Sequence, residues 1–386
     1  MPQDCTIVQI NDTPFLFIFQ MDKKSKELYT NLLFVTLRSA LLEGEVDVSN
    51  YKVLKEHEWQ QFYALSAKHG VLAIVYEVLS KLPSDAHPPR KLKLQWALRT
   101  ETIINRSRRQ EATIKSLASL MDNINVQFTV LKGISFASYY PNPLLRECGD
   151  CDAYMFGEHI RAEKFLQSQG INLQKEDYKH SHFRYKGLLI ENHRYCTKVR
   201  DGKKAVIYEQ EMCRYLNDKS RRRYISEDSK ILLPCDEFNI LMFLRHASVH
   251  FLTEGLTLRH LCDWFMILNK AVNNVNWNEL KVVLSMQKLE RFAYVLTTVA
   301  DKAFGSDFHY LFGNRCNSWV VDKVIDDLIY GFKPLYSTAS SGLMERIGIV
   351  KYSITHAWKY HHVMQTSVLL CITSSLYGIL LKKYID

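Results

Sequence analysis

Residues 131–154 decide the fold, and they read LKGISFASYYPNPLLRECGDCDAY. This stretch begins at the end of residues 126–131, which alternate and are β-branched in the manner of a half-buried strand. It closes with Asp150 and Asp152, at the start of the strand-like residues 151–155. Because side chains alternate between the faces of a strand, both carboxylates are expected on one face. Neighbouring carboxylates repel each other unless a cation lies between them, so the spacing indicates a site for a hard divalent ion such as Mg²⁺.

A glycine turn precedes the acidic pair. Gly133 and Ser135 follow the first strand, where backbone N–H groups can approach a phosphate and a following helix N-terminus adds positive potential. Lys132 would add a point charge. A phosphate cradle facing a pair of metal-binding carboxylates is the apparatus of phosphoryl or nucleotidyl transfer. Taken alone, an Asp-x-Asp pair also fits a solvated turn.

Apolar periodicity divides the chain into three regions. Residues 1–122 are predicted to be mainly helical, residues 123–215 to form a small mixed sheet, and residues 216–386 to return to helices. The expected fold class is therefore α+β, with the sheet core between two helical regions. A helix is expected at residues 158–169. Further strands are expected at residues 171–173, 182–185, 188–193 and 205–208.

Composition excludes several classes of protein. Of the 386 residues 47% are hydrophobic and 24% are charged, which is typical of a globular protein and not of a disordered one. The net charge of +9 favours anionic ligands without selecting one, and the basic run at 219–223 is interpreted as a solvated loop, not as a nucleic-acid signal. No P-loop, dinucleotide-binding or nucleophile-elbow motif occurs.

Cysteines and apolar runs predict a cytoplasmic protein. Nine irregularly spaced cysteines indicate reduced thiols, and residues 14–19 are too short for a signal-peptide core. Residues 366–381 fall short of the roughly 20 apolar residues that a transmembrane helix needs, so no transmembrane segment is expected. We expect this segment to pack on the body of the protein, with attachment to a membrane surface as the alternative.

Several motifs together resemble the uncharacterised bacterial nucleotidyltransferase family within the DNA polymerase beta-like superfamily. The resemblance extends from about residue 59 to about residue 268. It is carried by Leu131-Lys132-Gly133, Tyr140–Pro143, Arg146, Gly149–Asp152, Ile190–His193, Leu244–His250 and Leu258–Trp264.

The resemblance implies roles for individual residues. Asp150, Asp152 and Glu191 would be the catalytic residues and the ligands of Mg²⁺ or Mn²⁺, with Glu209 or Glu211, on the strand expected next, as competitors for the third position. The nucleotide, ATP or another nucleoside triphosphate, would contact Lys132, Gly133, Ser135, Arg146, Gly149, His193, His246, His250, Arg259 and Asp263.

Two i, i+4 pairs occur on helices predicted near the end of the matched region. His246 and His250 would share one helix face, a spacing that can bind zinc, but Ala247 stands where a zinc protease would have its glutamate. A packed or substrate-lining pair is therefore favoured. Arg259 and Asp263 are expected to form an ion pair.

The sequence thus predicts a metal-dependent nucleotidyltransferase that moves a nucleoside monophosphate to a hydroxyl acceptor. The acceptor is open and includes a sugar, a glycan, a protein or a small molecule. A catalytically silent nucleotide-binding or protein-interaction module on the same fold is the alternative.

Overall fold

The structure is a computed structural model that describes residues 21–175, 178–199, 202–225, 231–313, 316–331 and 350–369. Within these ranges the strands form one mixed sheet in the order β3-β4-β5-β2-β1-β7-β6. The strands are β1 Thr129–Val130, β2 Cys151–Tyr154, β3 Leu173–Lys175, β4 His180–Tyr185, β5 Leu188–His193, β6 Arg223–Tyr224 and β7 Leu232–Leu233.

Helices precede, interrupt and follow the sheet, so the predicted α+β fold class is confirmed. The helices are α1 Lys23–Leu42, α2 Ser49–Lys52, α3 Glu56–Lys68, α4 Leu72–Leu79, α5 Arg90–Asp122, α6 Ile134–Ala137, α7 His159–Ser168, α8 Lys203–Asn217, α9 Asp236–Thr253, α10 Leu258–Ala271, α11 Trp277–Met286, α12 Glu290–Phe304 and α13 Ser318–Asp326. None of the helices in the described ranges is both long and apolar enough to cross a membrane.

Two strands enter the sheet from beyond residue 215. β7 pairs with β1 in parallel, and β6 pairs with β7. The division of the chain at residues 122 and 215 stays a prediction. The expected packing of residues 366–381 also stays a prediction, because residues 370–386 lie outside the described ranges.

The strand predicted at residues 205–208 is wrong, because this segment is the first turns of α8. Val206 and Ile207 are about two-fifths exposed, whereas Ala205 and Tyr208 are buried. Buried residues that are three positions apart, with exposed residues between them, are typical of a helix with one apolar face. Glu209 and Glu211 therefore lie on a helix and not on a strand.

Helix α5 joins two hydrophobic cores. Near its start, Trp96 is buried in the helical core and donates a hydrogen bond to the Leu72 carbonyl. Near its end, Ile114 and Leu117 belong to a second core, which lies on one face of the sheet. In the middle, Gln110 donates to the carbonyls of the turn that precedes β2. The opposite face of the sheet is left for polar side chains.

A buried ion pair fixes the sheet to the C-terminal helices. Arg146, just before β2, donates two hydrogen bonds to Asp263 on α10, from Nε at 2.9 Å and from Nη2 at 2.6 Å. Tyr140 donates a third, at 2.7 Å, to the same carboxylate. Both charged side chains are almost fully buried. Asp263 thus pairs with Arg146, and the expected pairing with Arg259 is wrong.

A buried histidine ties the N-terminal helices to the C-terminal ones. His69, which follows α3, has Nε2 2.9 Å from the Ile329 carbonyl, while its Nδ1 accepts the N–H of Leu258 at 3.4 Å. These two partners require the neutral ring with its proton on Nε2. Burial, helped by the charge of Lys68, lowers the pKa of His69 to about 3.

Removing the acidic half of the ion pair should be costly. We expect Asp263→Asn to lower the free energy of unfolding by about 3–5 kcal/mol, because the Arg146 guanidinium stays buried without a counter-charge. The control is Asp322→Asn, which removes the exposed partner of Lys302 and should cost less than about 1 kcal/mol. Urea unfolding measures both values, and similar losses for the two variants would contradict the assignment.

His69 should make the protein sensitive to acid. Its folded pKa lies below the unfolded value of about 6.5, so the unfolded state binds the extra proton first and stability falls as the pH drops below 6.5. In urea titrations from pH 7 to pH 5, native protein should lose about 2 kcal/mol more than His69→Gln, which keeps a donor and an acceptor, and the slope should approach about 1.4 kcal/mol per pH unit only below about pH 6. The control is His57→Gln, at an exposed histidine, and it should follow the native curve. Parallel curves for native protein and His69→Gln would rule out this role.

Candidate active site

The sheet register collects polar side chains on the face away from the second core. Asp152 on β2 is paired with Glu191 on β5, and Glu191 is paired with His182 on β4. The next row contains His193 and its partner His180. The intervening residues, such as Cys151 and Ile190, point into the second core. Alternation along three neighbouring strands therefore places carboxylates and imidazoles together.

The glycine turn packs directly on the turn that carries the acidic pair. Gly133 has φ +58°, a backbone conformation that favours glycine, and an added Cβ would lie 3.6 Å from the Asp150 carbonyl oxygen. The N–H of Leu131 donates to the Asp152 carbonyl at 2.9 Å. These contacts hold Lys132 and Gly133 beside Asp150 and Asp152, as the sequence predicts. Helix α6, which follows the glycine, is only one turn long.

The polar side chains on this face and in the turn beside it are here called the polar cluster: Lys132, Asp150, Asp152, His180, His182, Glu191 and His193. Asp152 lies at its centre. Its buried carboxylate lies 2.6 Å from Lys132 Nζ and 2.9 Å from His193 Nε2. Burial alone would raise the pKa of Asp152, but the Lys132 charge and the His193 hydrogen bond outweigh it and hold the pKa well below its usual range. Asp152 is therefore ionised across the physiological range of pH.

His193 bridges two carboxylates. Its Nε2 donates to Asp152 and also lies 3.2 Å from Glu191 Oε2, while its Nδ1 lies 3.3 Å from the Tyr195 carbonyl. Both ring nitrogens face oxygen acceptors, which suits the doubly protonated ring. Burial opposes the charge, but the hydrogen bonds to Asp152 and Glu191 prevail and raise the pKa of His193.

Glu191 faces two histidines. Its Oε2 lies 3.2 Å from His193 Nε2, and its Oε1 lies 3.5 Å from His182 Nε2. The hydrogen bond from His193 is the main cause that lowers the pKa of Glu191. Glu209, the competitor for this position, is committed elsewhere, because its carboxylate accepts the backbone N–H groups of Cys196 and Thr197.

Asp150 lies at the open edge of the cluster. Loss of part of its hydration and the charge of Asp152 raise the pKa of Asp150. Gly149, next to it, is exposed, and its carbonyl accepts a hydrogen bond from Gln110. Helix α5 thus holds the backbone of the turn, and the carboxylate of Asp150 stays accessible.

Other residues predicted to contact the nucleotide have side chains that bind groups within the protein. Ser135 is fully buried, and its hydroxyl donates to Asn239 Oδ1 at 3.1 Å. Arg146 and Asp263 form the buried ion pair. Arg259 donates from Nη1 to the Glu147 carbonyl at 3.2 Å, at the edge of the same turn. Direct contact of these side chains with a nucleotide stays a prediction.

A second histidine cluster lies close to Lys132. His246 and His250 on α9 have ring centroids 4.4 Å apart, and His260 on α10 lies 5.3 Å from His250. The Lys132 charge acts on His246 and His250, and burial is the main cause that lowers their pKa values and that of His260. The shared helix face expected from the i, i+4 spacing is therefore present, next to the carboxylates.

The histidines His180 and His182 were missed by the sequence reasoning. The signal available was the repeated spacing, since His180-Ser181-His182 on β4 alternates as Glu191-Asn192-His193 does on β5. The residues between them lie on the other face, where Ser181 and Asn192 donate to Glu163. A His-x-His pair at the start of a strand resembled ordinary strand sequence too closely to be singled out.

The donor set fits a divalent cation. Asp152 and Glu191 present carboxylate oxygens within 4.8 Å of one another, and the carboxylate of Asp150 adds to the negative field. Carboxylate oxygens are the ligands that Mg²⁺ and Mn²⁺ prefer. These carboxylates share Lys132 as a neighbouring cation, and a metal ion would neutralise the negative charge that Lys132 does not balance.

One of three comparisons with known proteins finds a match. Searches of curated proteins and of solved structures returned no match. A protein family described as uncharacterised nucleotidyltransferase matches residues 55–305, which includes every residue of the polar cluster and both helices of the second histidine cluster. The match covers well over half of the chain, and the chain belongs to this uncharacterised nucleotidyltransferase family.

Proposed function

We propose that the protein transfers a nucleoside monophosphate from a nucleoside triphosphate to a hydroxyl acceptor, with Mg²⁺ or Mn²⁺ as cofactor. The observation that supports the proposal is the pairing of Asp152 with Glu191 on neighbouring strands, with Asp150 close enough to feel both charges, beside the Lys132-Gly133 turn. Membership of a nucleotidyltransferase family supports the same reaction class.

Asp150, Asp152 and Glu191 would hold the metal. When bound, it would neutralise the triphosphate and make the acceptor hydroxyl easier to deprotonate. Glu191 is ionised and partly accessible, so it is the residue proposed to accept the proton of the acceptor.

Lys132 and the second histidine cluster would bind the nucleotide. Lys132, now paired with Asp152, is proposed to neutralise the phosphates, and the Gly133 turn admits them without a side-chain clash. His246, His250 and Arg259 lie close enough for their charges and dipoles to act at the same place. Neutral imidazoles there would offer hydrogen bonds to the base or ribose. Arg146 and Asp263 would position the acidic turn through their ion pair.

One observation favours the alternative of a catalytically silent module. Lys132 and His193 already contact the carboxylate of Asp152, so the polar cluster is largely neutralised within the protein. A silent module would keep this pairing and bind nucleotide, if at all, without a metal. The metal dependence of binding therefore separates the two functions.

The first test is calorimetry with ATP and the other nucleoside triphosphates. We expect binding to require Mg²⁺ or Mn²⁺, because three carboxylates would otherwise repel the phosphates. Asp152→Asn should remove the metal-dependent part of the affinity. The control Asp85→Asn changes an exposed carboxylate near the N-terminal helices and should bind as the native protein does. Equal affinity in EDTA and in Mg²⁺ would favour the silent module.

The second test identifies the bond that breaks. The protein is incubated with α-labelled nucleotide and with separate pools of sugars, glycans, proteins and small metabolites. We expect the label to appear on an acceptor, and unlabelled pyrophosphate to be released in equal amount. Glu191→Gln should lower the turnover by about 10²–10⁴-fold and change nucleotide affinity much less, because it loses a base and a ligand but keeps its shape. Label only in free nucleoside diphosphate would instead indicate transfer of the terminal phosphate.

A further inference from the structure

Two histidines of the polar cluster are not used by the proposed reaction. His180 and His182 are two residues apart on β4, so both project from the face that carries Glu191 and His193 on β5. Their rings stack with centroids 4.7 Å apart, and His180 also stacks on His193 at 5.2 Å. The strand register, not a loop, sets these positions.

The geometry resembles a metal site more than a packing contact. The ligand atoms of His180, His182 and Glu191 all lie within 4.8 Å of one another, and His182 Nε2 is 3.5 Å from Glu191 Oε1. The second oxygen of the same carboxylate points to His193. Glu191 therefore presents one oxygen to each of two neighbouring groups of ligands.

Two imidazoles and a carboxylate differ in chemistry from the acidic site. Mg²⁺ and Mn²⁺ prefer oxygen ligands, whereas imidazole nitrogen suits Zn²⁺ and the neighbouring late transition-metal ions. A site of this composition should therefore keep its metal in the presence of excess Mg²⁺. The two groups of ligands are therefore expected to bind different kinds of cation.

We propose that His180, His182 and Glu191 form a second metal site, selective for Zn²⁺ or Co²⁺, which shares Glu191 with the carboxylate site beside it. The shared carboxylate would couple the two sites, because a metal on its Oε1 side fixes the orientation of Oε2. The proposal does not require nucleotidyl transfer to occur.

Two other groups of ligands in the described part of the chain are weaker candidates. In the second histidine cluster, His260 Nδ1 accepts the backbone N–H of Thr257 at 3.1 Å, which leaves the proton on Nε2, the other nitrogen that could bind a metal. In the group around His309, Asp301 already accepts the N–H groups of Phe308 and His309.

Metal binding can be measured without any activity. EDTA-stripped protein is titrated with Co²⁺, followed by visible absorption, and with Zn²⁺ by equilibrium dialysis in millimolar Mg²⁺. We expect one Zn²⁺ per chain that Mg²⁺ does not displace, and a Co²⁺ spectrum typical of nitrogen ligation. His180→Ala and His182→Ala should weaken binding by more than the roughly 10- to 100-fold that loss of an outer-shell partner costs.

Matched variants make the result decisive. His57→Ala, at an exposed histidine, and His250→Ala, in the second histidine cluster, should bind Zn²⁺ as the native protein does. Asp150→Asn should also keep the site, although it damages the proposed catalytic centre, so failure of the catalytic proposal and failure of this one are distinguishable. His182→Gln serves in place of His182→Ala if thermal unfolding shows that the alanine variant is not folded. No Zn²⁺ binding, or binding lost in His250→Ala and kept in His182→Ala, would overturn the proposal.

Discussion

The buried pair of Arg146 and Asp263 is the contact on which the site depends. A guanidinium that is removed from water needs a counter-charge, and the carboxylate that supplies it belongs to α10, 117 positions further along the chain. The segment that leads into β2 can therefore follow its observed path only when the C-terminal helices are docked. Tyr140, which shares the same carboxylate, adds a second anchor to that segment. The position of the acidic turn thus depends on contacts with both the sheet and the C-terminal helices.

The alternation of side chains on three neighbouring strands brings the remaining polar groups together. Asp152, Glu191 and His182 stand in one row because β2, β5 and β4 are adjacent and their register is fixed. The buried carboxylate of Asp152 has Lys132 as a partner of opposite charge, which is the condition under which charged groups tolerate burial. Lys132 and His193, the partners that stabilise this carboxylate, are the groups with which the proposed metal would compete.

The sequence carries the local features of this arrangement and not the distant ones. Strand alternation places Asp152 on one face with Glu191, and the glycine turn packs beside the acidic pair, while the binding of a phosphate at Gly133 stays a prediction. Short β-branched runs mislead, as at Val206 and Ile207, because only the longer window around them shows the helical period. The partner of Asp263 was assigned to Arg259 on local spacing alone. Contacts across more than a hundred residues, such as that of Arg146 with Asp263, leave no periodic signal. His180 and His182 carry a local signal in their spacing, but only the register of β4 with β5 shows which residues they face.

Helix α5 adds a mechanical property to the site. Its 33 residues make a rod of about 50 Å, embedded in the N-terminal helices at one end and under the sheet at the other. Gln110, near its midpoint, holds the carbonyls just before Asp150, whereas Asp152 is held by the sheet itself. A tilt of the rod would thus move one carboxylate and leave the other in place. The spacing of the acidic pair, and with it the affinity of the proposed metal site, would then depend on how α5 is held at the far end of the protein.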